Sequence, residues 1–115
     1  MLQEAKKAMR VTVNYYDDEI MRLCQAGAAD LQIAGVVTSG EVTFTEDTSG
    51  AVTDTSTLTD PLVQRAIITY ARMRFGSPAD YERVQEAYEM QKVQLMHAAA
   101  YTDYGDPVPN GGDGT

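Results

Sequence analysis

Apolar positions recur at helical spacing in four stretches of the chain and lose that period between them. Leu2, Ala5 and Met9 fall on one stripe and predict a short first helix. Val11-Thr12-Val13 breaks it with β-branched residues, which lose rotamer freedom in a helix. A second helix opens near Asn14 or Asp17, either of which can cap it, with Asp17, Asp18 and Glu19 where the helix dipole favours anions. Ile20, Leu23, Cys24, Gly27, Ala28, Leu31 and Ala34 form its apolar face, and Gly35 is its stop. Gly27 costs about 1 kcal/mol against alanine in a helix interior, which predicts a close helix approach at that point.

Residues 36–59 change character, with eight threonines, three serines and two glycines. Val42 and Phe44 alternate with Thr43 and Thr45, and Ser49-Gly50 can turn the chain back through Ala51-Val52-Thr53. A small exposed β-hairpin or a mobile loop fits this stretch. Asp60-Pro61 restarts the helix as a cap followed by proline at the first position. Leu62, Val63, Ala66, Ile67, Tyr70, Ala71 and Arg74 follow at three- and four-residue spacing, and Gly76 closes the run. Ser77-Pro78 is a second cap–proline pair, so the third and fourth helices must be near neighbours. The fourth carries Tyr81, Val84, Tyr88, Gln91, Leu95 and Ala98 or Ala99, and reaches about Tyr101. The expectation is an all-α bundle of about four helices over residues 1–102, with 36–59 inserted as loop or hairpin. The tail 103–115 has four glycines, two prolines and no base, and is expected to be extended and flexible.

Composition alters this picture little. The 115 residues are 43% hydrophobic and 23% charged, as in ordinary soluble proteins. No apolar run approaches a membrane span, and Met1–Arg10 lacks the apolar centre of a signal peptide, so a product made in a cytoplasm is expected. Net charge is −8, distributed as −1 over residues 1–40, −5 over 41–60, +1 over 61–102 and −3 over the tail. Such a chain repels phosphate, which argues against nucleic-acid binding through a basic patch.

Catalytic candidates are few. Cys24 is the single cysteine, lies on an apolar stripe and reads as a small hydrophobe; with no second cysteine, an internal disulfide is excluded. His97 is the single histidine and has no local relation to Cys24. Asp17-Asp18-Glu19 reads as helix capping before it reads as a metal corner. Glu82, Glu86 and Glu89, with Arg83 and Lys92 nearby, read as a solvated face. No phosphate-binding loop or dinucleotide fingerprint is present, so neither an enzyme nor a cofactor is expected. Seven tyrosines without a tryptophan stand out, with Tyr101 and Tyr104 where the last helix gives way to tail, the place for contact residues.

Four stretches in order resemble the head–tail connector, or adaptor, proteins of long-tailed bacteriophages. They are Leu2–Val11; Asp17-Asp18-Glu19-Ile20 running to Leu31-Gln32-Ile33-Ala34-Gly35; Asp60-Pro61-Leu62-Val63-Gln64-Arg65-Ala66-Ile67 through Phe75-Gly76; and Asp80-Tyr81-Glu82-Arg83 leading to Tyr101-Thr102-Asp103-Tyr104. The resemblance implies a helical subunit of a closed ring, usually of twelve copies, beneath the portal of the virion. Such a ring extends the DNA channel, lets the genome pass without specific binding, and offers a docking surface to a stopper or tail protein. In relatives the C-terminal helix and tail meet the portal, which maps onto Tyr101, Asp103, Tyr104 and Pro107. A hairpin facing the channel would line it with Glu41, Glu46, Asp47 and Asp54. Arg72, Arg74 or Arg83 against Glu82, Glu86 or Glu89 could join subunit to subunit. The competing expectation is a small acidic helical regulator binding one protein partner by imitating DNA charge, which would need its acids on an ordered surface.

Overall fold

A computed structural model describes residues 1–75 and 79–103, with side chains through Ala98. Its elements are α1 (Leu2–Met9), α2 (Asp17–Ile33), β1 (Phe44–Glu46), β2 (Val52–Asp54), α3 (Pro61–Arg74) and α4 (Tyr81–Asp103). Four helices with one small antiparallel hairpin are thus present, and the alternation read around Val42 and Phe44 resolves as hairpin. Gly76 and Ser77-Pro78, the expected stop and second cap, lie outside the described residues.

The ends of the helices follow local chemistry. Asp60 Oδ1 accepts from the Leu62 and Val63 backbone N–H groups at 2.9 and 3.4 Å, with Pro61 at the first helical position. After α2, the Gly35 and Val36 N–H groups bond back to the Gln32 and Leu31 carbonyls, and Val36 and Leu31 are both buried. α1 ends on the same pattern, but its left-handed position (φ 59°, ψ 39°) is held by Arg10 where glycine costs least. The start of α2 departs from expectation. Its cap is Tyr16, without a side-chain bond. Asn14 and Asp17 both face Lys6 instead, Asn14 Oδ1 accepting from Nζ at 2.8 Å and Asp17 lying 2.9 Å from it. Lys6 is buried on the stripe that also holds Leu2 and Ala5, so its charge needs both partners.

α2 and α3 form the centre. Their fully buried side chains include Ile20, Met21, Cys24 and Leu31 from α2 and Val63 and Ile67 from α3. Full burial of each large aliphatic among them contributes about 1.5–3 kcal/mol. Met21 was not on the expected stripe but is fully buried. Leu62 was on the expected stripe but is exposed, since it sits in the first turn before α3 enters the core. α1 packs on both α2 and α3, and α4 packs on α3. At Gly27 the approach is as close as the sequence demanded: a Cβ there would stand 3.0 Å from Tyr70 Cδ1 and 3.2 Å from Tyr70 Cβ.

The hairpin is in register Phe44–Asp54, Thr45–Thr53 and Glu46–Val52. Backbone bonds from Thr55 to Thr43 and from Thr57 to Glu41 extend the pairing beyond the two strands. Val42 and Leu58 are buried at its base. Gly40 (φ 134°) permits that closure, because a Cβ would lie 2.6 Å from the Thr57 carbonyl oxygen.

Two substitutions of opposite sign test this packing. Gly27→Ala gains helix propensity but drives a methyl into Tyr70 close to its own backbone, and should lower stability by about 1–3 kcal/mol. Arg10→Gly relieves the left-handed strain and should raise stability by roughly 1 kcal/mol. Urea unfolding followed by circular dichroism measures both; a gain for Gly27→Ala would show that Tyr70 yields freely.

Candidate functional site

The acidic hairpin is fastened to the bundle along both strands. From α2, Arg22 lies 3.1 Å from Glu46 Oε1 with its guanidinium 5.5 Å from the Phe44 ring centre, and Gln25 Nε2 donates to the Val42 carbonyl at 3.3 Å. From the other side, Asp54 Oδ2 accepts from the Leu2 N–H at 2.8 Å and lies 2.9 Å from the Met1 ammonium. Burial alone would raise the Asp54 pKa. Hydrogen bonds from Ser56, the Leu2 N–H and the terminal ammonium outweigh it, and hold the carboxyl well below the ordinary aspartate range. Burial likewise opposes the charge on the Met1 ammonium, but Glu4 and Asp54 win and raise its pKa above the usual 8.0. Asp47 closes the turn, its Oδ1 accepting from the Ser49 and Ala51 N–H groups at 2.9 Å each. Glu41 is exposed, and its carbonyl rather than its carboxylate is used in pairing. Of the four acids read as channel-lining, Asp54 and Asp47 therefore hold the hairpin together, Glu46 sits in an exposed ion pair, and Glu41 is free at the surface.

On the opposite side of the bundle, Tyr88 is buried between α2 and α3. Its hydroxyl donates to Asp30 Oδ2, Lys92 Nζ lies 3.3 Å from the same oxygen, and the Tyr70 ring meets Tyr88 edge-on at 5.3 Å. The Tyr88 hydroxyl first, and Lys92 after it, lower the Asp30 pKa against the effect of burial. Burial and the Asp30 carboxylate push the Tyr88 pKa up, so its proton stays in place to donate.

The charges read as joining subunits are differently placed. Arg72 is bound to Asp80 at 2.8 Å, and the Arg74 guanidinium lies 5.3 Å from the Tyr70 ring centre. Glu89 lies 3.7 Å from Lys92. Arg83, Glu82 and Glu86 are exposed on α4 without an ion pair among the described residues. Tyr101 and Asp103 fall in the last turn of α4 where only backbone is described, and Tyr104 and Pro107 lie outside the described residues.

Sequence reasoning missed the apolar residues that the bundle leaves uncovered. Met90, Val93 and Met96 of α4 are 65, 46 and 37% exposed, and Ile33, Val37 and Tyr15 are 87, 66 and 81% exposed. The signal was present, since Met90 and Val93 lie across α4 from Val84 and Tyr88, but periodicity finds the buried stripe and passes over its opposite. Cys24 is fully buried and its thiol is pushed up to about 12, far from a nucleophile's range. His97 is exposed, and among the described residues no three His, Cys, Asp or Glu side chains are grouped to hold a metal ion. No described helix is long and apolar enough to cross a membrane.

What remains is a helical scaffold whose outward faces carry uncovered charge and uncovered apolar side chains together, the properties of a subunit made for assembly. A family model described as phage connector protein matches residues 1–102, and the chain belongs to that family. It is a structural connector of a bacteriophage virion, at the head–tail junction where it meets other head and tail proteins. No curated protein and no solved structure matches it.

The carboxylates give a pH dependence of definite sign. Asp30 and Asp54 titrate below their ordinary 3.8 in the fold, so their stabilisation is complete above that value and is lost as pH falls through the depressed ones. Thermal stability should therefore fall as pH drops from about 4 towards 2. Asp54→Asn should cost about 1–3 kcal/mol at pH 7 and progressively less on acidification, because protonation of the unfolded carboxyl below its ordinary 3.8 erodes the advantage of the native carboxylate. An equal loss at pH 7 and pH 2 would contradict the assignment.

Proposed function

We propose that this protein is the ring-forming adaptor between the portal and the stopper or tail of a long-tailed phage. The ring, of about twelve copies by family resemblance, extends the channel in which the genome is retained and through which it is ejected. The observation that carries the reading is the outward stripe of α4. Glu82, Glu86, Met90 and Val93 stand across the helix from buried Val84 and Tyr88, uncovered by their own chain, in a member of the connector family. Met90 and Val93 set apolar surface beside those acids, a combination that suits contact with another subunit.

The C-terminal portion, with Tyr101, Asp103, Tyr104 and Pro107, meets the portal in this reading. An acidic segment that orders on binding can wrap a large neighbour at an entropic cost. The hairpin faces the channel, where Glu41, Glu46 and Asp47 repeat from copy to copy and repel DNA phosphates, so the genome slides rather than sticks. Asp54 contributes there by holding the hairpin in place. Channel charge is therefore best probed by Glu41→Gln with Glu46→Gln, which keep the Asp47 turn and the Asp54 anchor, remove only the exposed Arg22–Glu46 ion pair, and should slow DNA ejection. Unchanged infectivity of that double variant would remove the channel role.

Mass photometry of the protein mixed with the purified portal oligomer of the same phage tests the adaptor reading. It should show a saturable gain near one copy per portal subunit, lost when residues 101–115 are removed. No gain at micromolar concentration with the portal intact would contradict it.

A further inference from the structure

A ring subunit needs two different side surfaces that fit each other. Arg72 and Arg74 are engaged within the chain, as described above, and of the three arginines expected to meet the acids of α4 only Arg83, on α4 itself, has no ion pair among the described residues. The exposed bases of α1 offer an alternative. Lys7 and Arg10 are exposed and make no ion pair among the described residues. Both border a cleft that also includes Gln3, Thr12 and Asn14. Arg10 keeps a left-handed backbone (φ 59°) that glycine would occupy at about 1 kcal/mol less, so a charged side chain is retained where the fold alone favours none. Just beyond it, Val13 and Tyr15 are 54 and 81% exposed.

The α1 and α4 surfaces lie on opposite flanks of the molecule. Lys6 of α1 reaches Asp17 of α2, while Tyr88 and Lys92 of α4 reach Asp30 of α2. Those two aspartates are about 140° apart around α2 at 3.6 residues per turn, and α3 packs on all three of these helices. The exposed charges differ between the flanks: Lys7 and Arg10 on one, with Tyr15 five residues beyond Arg10 in the chain, and Glu82 and Glu86 on the other, with Val93 on the same stripe and Arg83 at its edge.

We propose that the α1 flank of one copy, through Lys7, Arg10 and Tyr15, docks on the outward stripe of α4 of the next copy, through Glu82, Glu86 and Val93. This rests on the ring reading and names the contact that closes it. Like flanks cannot pair, because bases would meet bases and acids would meet acids. Unlike flanks on opposite sides of one molecule make a head-to-tail contact, which propagates and closes into a ring when its rotation allows.

Variants with one added cysteine test the contact directly, because buried Cys24 stays out of thiol chemistry. Thr12→Cys reports the α1 flank and Met90→Cys the α4 stripe, both positions being exposed and outside the charged pairs. An equimolar mixture of the two variants is oxidised mildly at high protein concentration, and the disulfide products are resolved by mass. Random collision yields twice as much mixed product as either symmetric one. The proposed contact raises that ratio to roughly tenfold or more. Adding Lys7→Glu and Arg10→Glu to the first variant should return it to random, and Glu82→Lys with Glu86→Lys in the second should then restore it. A random ratio for the starting pair, with both variants folded by circular dichroism, overturns the proposal. Portal stoichiometry is a separate readout, so failure of the adaptor reading shows in that titration and failure of this contact shows here.

Discussion

The close approach of α2 to α3 at Gly27 is the constraint from which the rest of the arrangement follows. Only a residue without a side chain lets Tyr70 lie flat against the α2 backbone, with 3.0 Å left for any added carbon. Tyr70 held there presents its ring to Tyr88, and Tyr88 reaches past it to donate to Asp30 on α2. One small residue thus sets where α4 sits relative to both central helices. α4 has 23 residues against 14 in α3, so its backbone extends beyond the helix it packs on.

The charges divide along the same lines. Those that hold the fold are paired inward: Lys6 with Asp17, the Met1 ammonium with Asp54, and Lys92 with Asp30. The first of these is the most buried and therefore the one whose breakage leaves the costliest orphan. Among those that remain outside, Lys7 and Arg10 mark the α1 side, while Glu82 and Glu86, with Arg83 beside them, mark α4. In the proposed ring, charge of opposite sign on the two flanks steers encounter and rejects the reversed arrangement.

The parts of this structure legible in the sequence are those that local chemistry decides. Asp60-Pro61 marked the start of α3, Gly35 the end of α2, and Gly27 a close contact, each from its immediate neighbours. Alternation at Val42 and Phe44 pointed to strand, but could not separate hairpin from loop, since the decision rests on Arg22, Gln25 and the chain start gripping it from afar. The misreadings were all long-range. Asp54 looked like one acid among five until it was seen 52 residues away on the Leu2 N–H. Asp17 looked like a cap because its partner, Lys6, belongs to another helix. Arg72 and Arg74 looked free because Asp80 and the Tyr70 ring are met only after folding. The acids of α4's exposed face, Glu82 and Glu86, were legible, but Met90 and Val93 beside them were overlooked for a different reason: hydrophobic periodicity reports what a chain buries by itself and passes over apolar residues left outside.

A three-dimensional reconstruction of the phage head–tail junction by electron cryo-microscopy tests the central claim most directly. The account predicts a closed ring beneath the portal into which the four-helix bundle fits as one body. In it the hairpin points at the channel axis, and α1 of each copy lies against α4 of the next. A junction with no such ring, or one in which the hairpins point away from the DNA and like flanks face each other, would contradict it.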